Sequence, residues 1–451
     1  MTTAQQKTET EAGPTAPPAA SRRLTLLIAV FGVLVLVRSM SEGIYDIAFA
    51  NLALDLSGLV STVGLVYCVG YGVEVVASVA AGPLLDRGNP KTVLVVSYLI
   101  KIGVFALIGV GSSFLSSHLW AIVVAAATVD LVHHVGEMAL FVLLPRVLDA
   151  KSLVRVQGIA GSIRSSCELL SPVVAGLVIT LMPGSRALLV AAALQVLALA
   201  VFAVFAAVAA RRPAAVDGAA AAGGAGEADA TDEQDGGSAV LPSRRTVART
   251  ITNSRSWRRF ALFHALTVLC LSTVVLSLLS LMRETHHMSA ARAGVFLVFS
   301  TVGAVVGGLV VAKAGPDGIR GSLRWAPALA GAGTLVAALL GHDQWVLAAG
   351  LVLFGLGFTV YLRSAGLLIQ LRAPSKLLGT WFGLLDAVIR IVSAAAILAT
   401  GFLFDRFGGA VVYLAFGGLL VLSAALWSTF GTQDHTGLTR TPLHPEHPST
   451  D

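Results

Sequence analysis

Four ionisable side chains lie close together in the middle of a long apolar stretch, residues 118–145. They are Asp130, His133, His134 and Glu137. Positions i, i+4 and i+7 share one face of a helix, so Asp130, His134 and Glu137 are predicted to lie together. Burial favours the protonated form of a carboxyl group, and imidazole titrates near neutral pH. This pattern predicts a group of side chains that can take up and release a coupling proton.

The same four side chains allow a second interpretation. Carboxylate oxygens and imidazole nitrogens are ligands that zinc or iron accepts, so transport of a metal ion or metal chelate is an alternative. A third possibility is an intramembrane metalloenzyme that activates water. The sequence has no HExxH helix, GxSxG elbow or GK[ST] phosphate loop, which argues against an enzyme. We therefore expect a protein without enzymatic activity, cofactor or resident metal ion.

A second series of charges, Arg38, Glu42 and Asp46, steps by four residues along another apolar stretch. Glu42 and Asp46 are further candidates for proton coupling. These charges are equally compatible with fixed ion pairs between helices, with Arg38 and Glu42 as the first such pair. Two more pairs at the same spacing are predicted to be framework contacts, Arg164 with Glu168 and Asp386 with Arg390.

Composition predicts the elements that must position these groups. Hydrophobic residues make up 56% of the 451 residues and charged residues only 12%, which is typical of a membrane protein. Uncharged windows of about 20 residues can each cross the bilayer as a helix. We predict twelve such helices, at residues 24–52, 59–83, 92–111, 118–145, 155–181, 186–210, 258–282, 291–313, 323–341, 344–371, 378–402 and 408–430.

These spans divide the chain into two helical bundles with polar segments around them. Most Lys and Arg residues fall in alternate loops, which places both termini in the cytoplasm and the protein in the plasma membrane. The net charge of +6 is sorted by loop, so we expect membrane lipids and not nucleic acid as its partner. The predicted segments are a disordered tail (1–23), the first bundle (24–210), a flexible linker with a basic end (211–257), the second bundle (258–430) and a disordered tail (431–451).

A faint internal repeat relates the two bundles. Gly82 corresponds to Gly308, and Pro90 to Pro316, both at an offset of 226 positions. A constant offset over several helices is expected when two similar halves are fused. The same offset relates Arg164 to Arg390, Glu137 to Arg363 and Arg38 to His264.

The loop after the second predicted helix carries Gly82, Asp86, Arg87 and Lys91. This Gly, Asp-Arg and basic pattern resembles the loop between helices 2 and 3 of the major facilitator superfamily. The resemblance implies an all-α membrane protein with twelve helices in two pseudo-symmetric six-helix bundles. It also implies that Asp86 meets the N-terminus of helix 11, where the helix dipole favours an anion, and so latches one conformation.

A second pattern lies in the fifth predicted helix. It resembles the glycine-rich helix 5 of antiporters in this superfamily, with a small residue in each place where the antiporters have glycine. Together with Arg38-Ser39 in the first helix, it resembles the bacterial drug/proton efflux branch. Small residues and a proline allow close packing and bending of a helix in lipid. The residues at the motif positions are Gly158, Cys167, Ser171, Pro172, Ala175 and Gly176.

In this superfamily helices 1, 4, 7 and 10 line a central cavity, so the resemblance implies a substrate cavity between the halves. Glu137 and Arg363 are then expected to face each other across it. The aromatic side chains that could add cation-π contacts to an amphipathic cation are Tyr45, Phe49, Tyr67, Tyr71 and Trp381. The candidate cavity residues are Arg38, Tyr45, Tyr67, Tyr71, Glu74, His133, His264 and Arg363.

The sequence thus favours a secondary active transporter, expected to be a monomer, that exports a small amphipathic molecule by alternating access. The predicted substrate is a drug or secondary metabolite, and export is predicted to be coupled to proton entry. Export of a metal ion or metal chelate through the cluster that begins at Asp130 remains the alternative.

Overall fold

A computed structural model describes residues 19–58, 60–110, 118–182, 184–210, 244–280, 282, 286–288, 290–340 and 343–430. Nearly all of these residues are helical. A short 3₁₀ turn, Ser375–Leu377, precedes the eleventh helix. The helices are α1 (Ala19–Ser57), α2 (Val60–Arg87), α3 (Pro90–Val110), α4 (Leu119–Val147), α5 (Ala150–Leu181), α6 (Gly184–Ala210), α7 (Arg244–Asn253), α8 (Arg255–Ser280), α9 (Ala290–Leu340), α10 (Gln344–Arg372), α11 (Leu378–Phe407) and α12 (Gly409–Phe430).

Among the described residues, nine helices are long and apolar enough to cross a membrane. One of them, Val295–Leu340 within α9, has 46 residues. A straight helix of that length would measure about 70 Å, more than twice the ~30 Å hydrocarbon layer. A multi-pass membrane protein follows, and the count of twelve spans stays a prediction.

The predicted eighth and ninth helices correspond to the two arms of α9. The chain bends at Gly315, whose φ of 67° is in the left-handed region that glycine adopts without steric cost. Pro316 follows and starts the second arm, a position where its fixed φ suits a helix. Both arms pack on neighbouring turns of α10, because Gly355 abuts Ser300 and Gly357 abuts Ala330. The chain therefore reverses its direction at Gly315. A loop was predicted between the helices 291–313 and 323–341, and the structure has this bend instead.

The structure differs from the sequence-based prediction at the ends of two predicted segments, the linker of residues 211–257 and the tail of residues 1–23. The basic end of the predicted linker forms helix α7, because Val247 and Ile251, four residues apart, are buried against the bundle. Helix α1 begins at Ala19, inside the predicted tail of residues 1–23. Residues 1–18, 211–243 and 431–451 lie outside the described part of the chain.

The two halves meet through equivalent helix pairs, α2 with α11 and α5 with the first arm of α9. Glycines allow the backbones to approach. A Cβ added at Gly82 would lie 2.8 Å from the carbonyl oxygen of Gly379 in α11. Likewise, Gly158 of α5 abuts Ala312, and Gly308 abuts Ser162. Since Gly82 and Gly308 are repeat mates, the contacts follow the symmetry that the offset predicts.

Candidate functional site

Two cavities of about 270 Å³ each lie along the interface between the halves. The latch-side cavity lies towards the end of the molecule that carries Asp86, and Phe31, Arg38, Phe141, Arg363 and Phe382 are among its lining residues. The far-side cavity lies towards the opposite end, and its lining residues are Glu42, Tyr45, Asp46, Phe49, Val66, Tyr67, Gly70, Tyr71, Glu74, Ala126, Asp130, His133, Glu137, Arg164 and Arg390.

A layer of charged side chains separates the cavities. Glu42, Glu137, Arg164 and Arg390 line both of them, so this layer is accessible from two sides. Burying charges in lipid is costly unless they pair or face water. The layer satisfies this requirement through two clusters, each built around one arginine.

The Arg164 cluster lies entirely within the first half. Arg164 Nη1 of α5 donates to Glu137 Oε1 of α4 over 2.5 Å, and Nη2 donates to Glu42 Oε1 of α1 over 3.3 Å. The local partner Glu168 is farther away, with Nε at 3.5 Å from its Oε1. His133 Nε2 lies 3.6 Å from both Glu42 Oε1 and Glu137 Oε1, beyond hydrogen-bond distance. The cluster ties α1, α4 and α5 together.

The Arg390 cluster crosses between the halves. Arg390 of α11 donates to Glu74 of α2, and its Nε donates to Asp386 Oδ2 over 2.8 Å. Its Nη2 contacts His134 Nδ1 of α4 at 2.8 Å. Ser78 Oγ of α2 donates to Asp386 Oδ2 over 2.6 Å. The cluster therefore joins α2 and α4 of the first half to α11 of the second.

The geometry fixes the tautomer of His134. A guanidinium can only donate hydrogen bonds, so Nδ1 of His134 must be the acceptor. The ring proton then sits on Nε2, which lies 2.8 Å from Ser78 Oγ and 3.1 Å from Asp386 Oδ2.

The far-side cavity is acidic and aromatic. Neither Asp46 nor Asp130 makes an ion pair with another described residue. Asp130 rests against the backbone of Gly70, where a Cβ would collide with Oδ2. Tyr67 and Tyr71 are 45% and 41% exposed and form part of the cavity wall. This cavity has the carboxyl groups and aromatic faces that suit protons or cations.

The predicted latch contact is present. Asp86 Oδ1 accepts from the backbone N–H of Gly379 over 2.7 Å, and Oδ2 accepts from that of Thr380 over 2.8 Å. The hydroxyl of Thr380 donates to the same Oδ2 over 2.5 Å. The carboxylate thus satisfies free donors at the start of α11, as the helix dipole favours. Arg87 is exposed, and Lys91 bonds Asn89 through its backbone N–H.

The helix 5 motif faces two directions. Gly158 contacts the other half at Ala312, whereas Cys167 lies against Leu36 and Ser171 against Gly43, both in α1. Ala175 is buried, and Gly176 has open space around it. The side chain of Pro172 lies outside the described part of the structure. Most of the motif therefore packs within its own half.

Several sequence-based predictions are wrong about partners. Glu137 and Arg363 line the same cavity, but Glu137 pairs with Arg164. Glu42 also pairs with Arg164 and not with Arg38, because Arg164 approaches both carboxylates from the neighbouring helix. Of the three residues predicted to share one helix face, Asp130 and Glu137 line the far-side cavity together, whereas His134 bonds within the Arg390 cluster.

Two predicted cavity residues are packing residues. His264 is buried, bonds Tyr361 through Nδ1 at 2.8 Å and lines neither cavity. Trp381 is fully buried and packs on Trp257 with ring centroids 4.5 Å apart. Both side chains pack on aromatic neighbours of the second half.

Sequence reasoning missed the central role of Arg164, Asp386 and Arg390. Their i, i+4 spacing predicts the local pairs, and these exist at 3.5 Å for Arg164–Glu168 and 2.8 Å for Arg390–Asp386. The partners on other helices depend on how each helix is rotated. The one available signal was the 226-residue offset between Arg164 and Arg390, which marks them as equivalent positions.

Comparison with known proteins agrees with this architecture. A family model described as Major Facilitator Superfamily matches residues 31–396. No curated protein sequence matches the chain. The fold is similar to the human organic anion transporter MFSD10, with a TM-score of 0.67 and 16% identity over 91% of this chain and 100% of that one.

Two further solved structures are similar in fold. A bacterial homologue of the iron transporter ferroportin, in an outward-facing state, gives a TM-score of 0.67 and 16% identity over 89% of this chain and 99% of that one. The proton:xylose symporter XylE gives 0.67 and 10% identity over 91% and 96%. The predicted all-helical membrane fold with two related halves is confirmed, and the chain belongs to the major facilitator superfamily of secondary transporters.

Proposed function

We propose that the protein exports a small amphipathic molecule by alternating access and that proton entry drives the export. One observation carries this proposal: His134 and Arg390 share a hydrogen bond that joins the two halves. Because the Nδ1 atom of His134 accepts from a guanidinium, a proton can be added there only when the bond breaks. Protonation and separation of the halves are thereby linked.

The proton enters through the far-side cavity. With the N-terminus in the cytoplasm, as the loop charges predict, this cavity faces the outside. Asp46 and Asp130 line it without a cationic partner among the described residues. Asp130 is four residues from His134 on the same helix, so protons received at Asp130 have a short path to the Arg390 cluster.

Transfer of that proton opens the latch side. A protonated His134 has an N–H on both ring nitrogens and repels Arg390. Glu74 and Asp386 then lose their shared cation across the α2–α11 contact, which favours parting of the halves. The proton leaves to the cytoplasm, the exported molecule enters the latch-side cavity, and the cluster reforms with the molecule now facing outwards.

Transport driven by an imposed proton gradient in inside-out vesicles tests this function. A panel of fluorescent amphipathic compounds serves as substrates. We expect Asp130→Asn to lower gradient-driven uptake about tenfold or more, while exchange of substrate without a gradient persists. Asp55→Asn, at an exposed carboxylate of α1, is the matched control. Full activity after Asp130→Asn and Glu137→Gln together, or uptake that survives a protonophore, contradicts the proposal.

A second candidate, export of a divalent metal ion, is favoured by a specific group of ligands. One ligand atom each from Glu42, His133 and Glu137 lies within 4.8 Å of the others. Both ring nitrogens of His133 are buried without a hydrogen-bond partner. Arg164 now bonds both carboxylates, so a metal ion would have to displace it. The sequence-based metal hypothesis used Asp130, His133, His134 and Glu137, and the proposal here keeps His133 and Glu137 and adds Glu42.

Metal flux distinguishes the two candidates. Zinc, iron(II) and manganese(II) uptake into inside-out vesicles, measured with a metal-sensitive dye, should be absent if the first proposal is right. Metal uptake that is lost in His133→Gln and kept in His118→Gln would instead establish the second candidate.

A further inference from the structure

We propose that Arg38 and Arg363 bind the anionic group of the transported molecule, so that the substrate is an amphipathic organic anion. This proposal rests on the function proposed above, since it names the substrate class of the same transporter. It differs from that function in depending on binding alone, without any proton gradient.

The first observation is that the two guanidiniums have no partner. No hydrogen bond or ion pair joins Arg38 or Arg363 to another described residue. Arg38 is only 8% exposed, and its Nε is buried without an acceptor. A buried cation without a counter-charge is costly. Such groups are retained where a ligand supplies the missing charge.

The second observation is the charge balance of the latch-side cavity. Four arginines line it against three carboxylates, those of Glu42, Glu137 and Asp386. All three carboxylates already pair with Arg164 or Arg390. The positive charge that remains belongs to Arg38 and Arg363. The far-side cavity has the reverse balance, with five carboxylates against two arginines.

The cavity wall defines the rest of the ligand. Phe31, Leu140, Phe141 and Phe382 supply an apolar surface beside the two arginines. Phe141 and Phe382 stack at a centroid distance of 3.8 Å and come from different halves. An aromatic or aliphatic body therefore fits beside a carboxylate, sulfonate or phosphate group that accepts hydrogen bonds from guanidinium.

Space for Arg363 is provided by a glycine. A Cβ added at Gly161 of α5 would lie 3.0 Å from Arg363 Nε, tighter than an ordinary contact. The guanidinium therefore lies across the backbone of α5, beside the cavity that Arg38 enters from α1. The two cations line the same space from different halves of the molecule. A ligand bound by both would span the interface.

Equilibrium binding of matched probes to the purified full chain in nanodiscs tests the proposal. The probes are naphthalene-2-carboxylate, naphthalene-2-sulfonate and naphthalen-2-ylmethylammonium, which share a ring system and differ in charge. We expect both anions to bind at least about tenfold more tightly than the cation. Arg38→Gln and Arg363→Gln should each weaken anion binding about tenfold, and the lysine variants should retain part of it. Arg186→Gln, at an exposed arginine, is the control.

Three outcomes would overturn the proposal. Equal binding of anion and cation, or anion binding that is unchanged in both glutamine variants, would contradict an anion site formed by Arg38 and Arg363. Competition by chloride or inorganic phosphate as strong as that of the naphthalene anions indicates an inorganic anion site instead. A monodisperse elution profile and an unchanged helical spectrum establish that each variant is folded. If the protein binds the anions but shows no gradient-driven transport, the proposed function is contradicted and the anion-binding site is still supported.

Discussion

The Arg164 and Arg390 clusters occupy equivalent positions in the two halves and yet bind in different directions. Arg164 holds Glu42 and Glu137, all within the first half. Arg390 holds Glu74 and contacts His134, both of which belong to the opposite half. The first cluster can stay intact when the halves move, whereas the second must break. We therefore propose that Arg164 serves as framework within the first half and that Arg390 makes a contact that depends on conformation.

The strongest test of this difference removes each arginine in turn. Arg390→Gln leaves Glu74 and Asp386 close together without a cation, a change that typically costs about 3–5 kcal/mol in a buried pair. This cost destabilises only the conformation in which the latch side is closed. We therefore expect the variant to open on that side. Arg164→Gln should lower thermal stability with the latch side still closed.

A cysteine reporter measures that opening. Gly366 lines the latch-side cavity, and a Cβ there meets only the ring of Phe141, at 3.6 Å. Gly366→Cys, with Cys68, Cys167 and Cys270 replaced by alanine, therefore fits without strain. Its reaction with an impermeant thiol reagent added from the cytoplasmic side should rise about tenfold or more in Arg390→Gln. Equal reaction rates of this cysteine in Arg390→Gln and Arg164→Gln would contradict the proposed difference between the two clusters.

The next largest effect is expected at the glycine contact between α2 and α11. Gly82→Ala places a Cβ 2.8 Å from the oxygen of Gly379, which the backbone of α11 cannot avoid. Overpacking of this kind costs about 1–3 kcal/mol, and here it penalises the closed latch side. Gly103→Ala in α3, where a Cβ meets no atom within 4 Å, is the matched control. The Gly366→Cys reporter should react faster in Gly82→Ala and at an unchanged rate in Gly103→Ala.

A smaller effect is expected at Asp86. Asp86→Asn keeps one oxygen acceptor for α11 but places an amide N–H₂ where Thr380 now donates. The loss of a charge-assisted hydrogen bond is worth about 1.5–3 kcal/mol, less than the cost expected for Arg390→Gln. Reporter reactivity should therefore rise severalfold, less than in Arg390→Gln. No change relative to Asp55→Asn would mean that the Asp86 contact does not hold the latch side closed.

The fold and the contact of Asp86 with α11 could be predicted from the sequence because they depend on composition and on short motifs. Long uncharged windows predict helices in lipid, and the loop around Asp86 carries its pattern within a few residues. The bend at Gly315 could not be predicted from composition or motifs. It depends on the left-handed conformation of this one glycine, and it takes the place of the predicted loop.

The partners of the charged residues could not be predicted in the same way. Glu42 lies four residues from Arg38, but the rotation of α5 brings Arg164 to it first. His264 is the repeat mate of Arg38, and it is nevertheless turned away to bond Tyr361. Sequence spacing determines neighbours along one helix, whereas these contacts depend on the relative rotation of several helices.

We propose that protonation of His134 breaks its bond to Arg390 and opens the latch side. The most direct measurement is the pH dependence of Gly366→Cys reactivity in inside-out vesicles, compared between the reporter alone and the reporter with His134→Gln. Glutamine can still accept from Arg390 and donate to Ser78, but it cannot take up a proton. Acidification should raise the reactivity of the reporter cysteine about tenfold with His134 present and leave it low at every pH with glutamine. An equal acid-induced rise in both proteins would contradict this proposal.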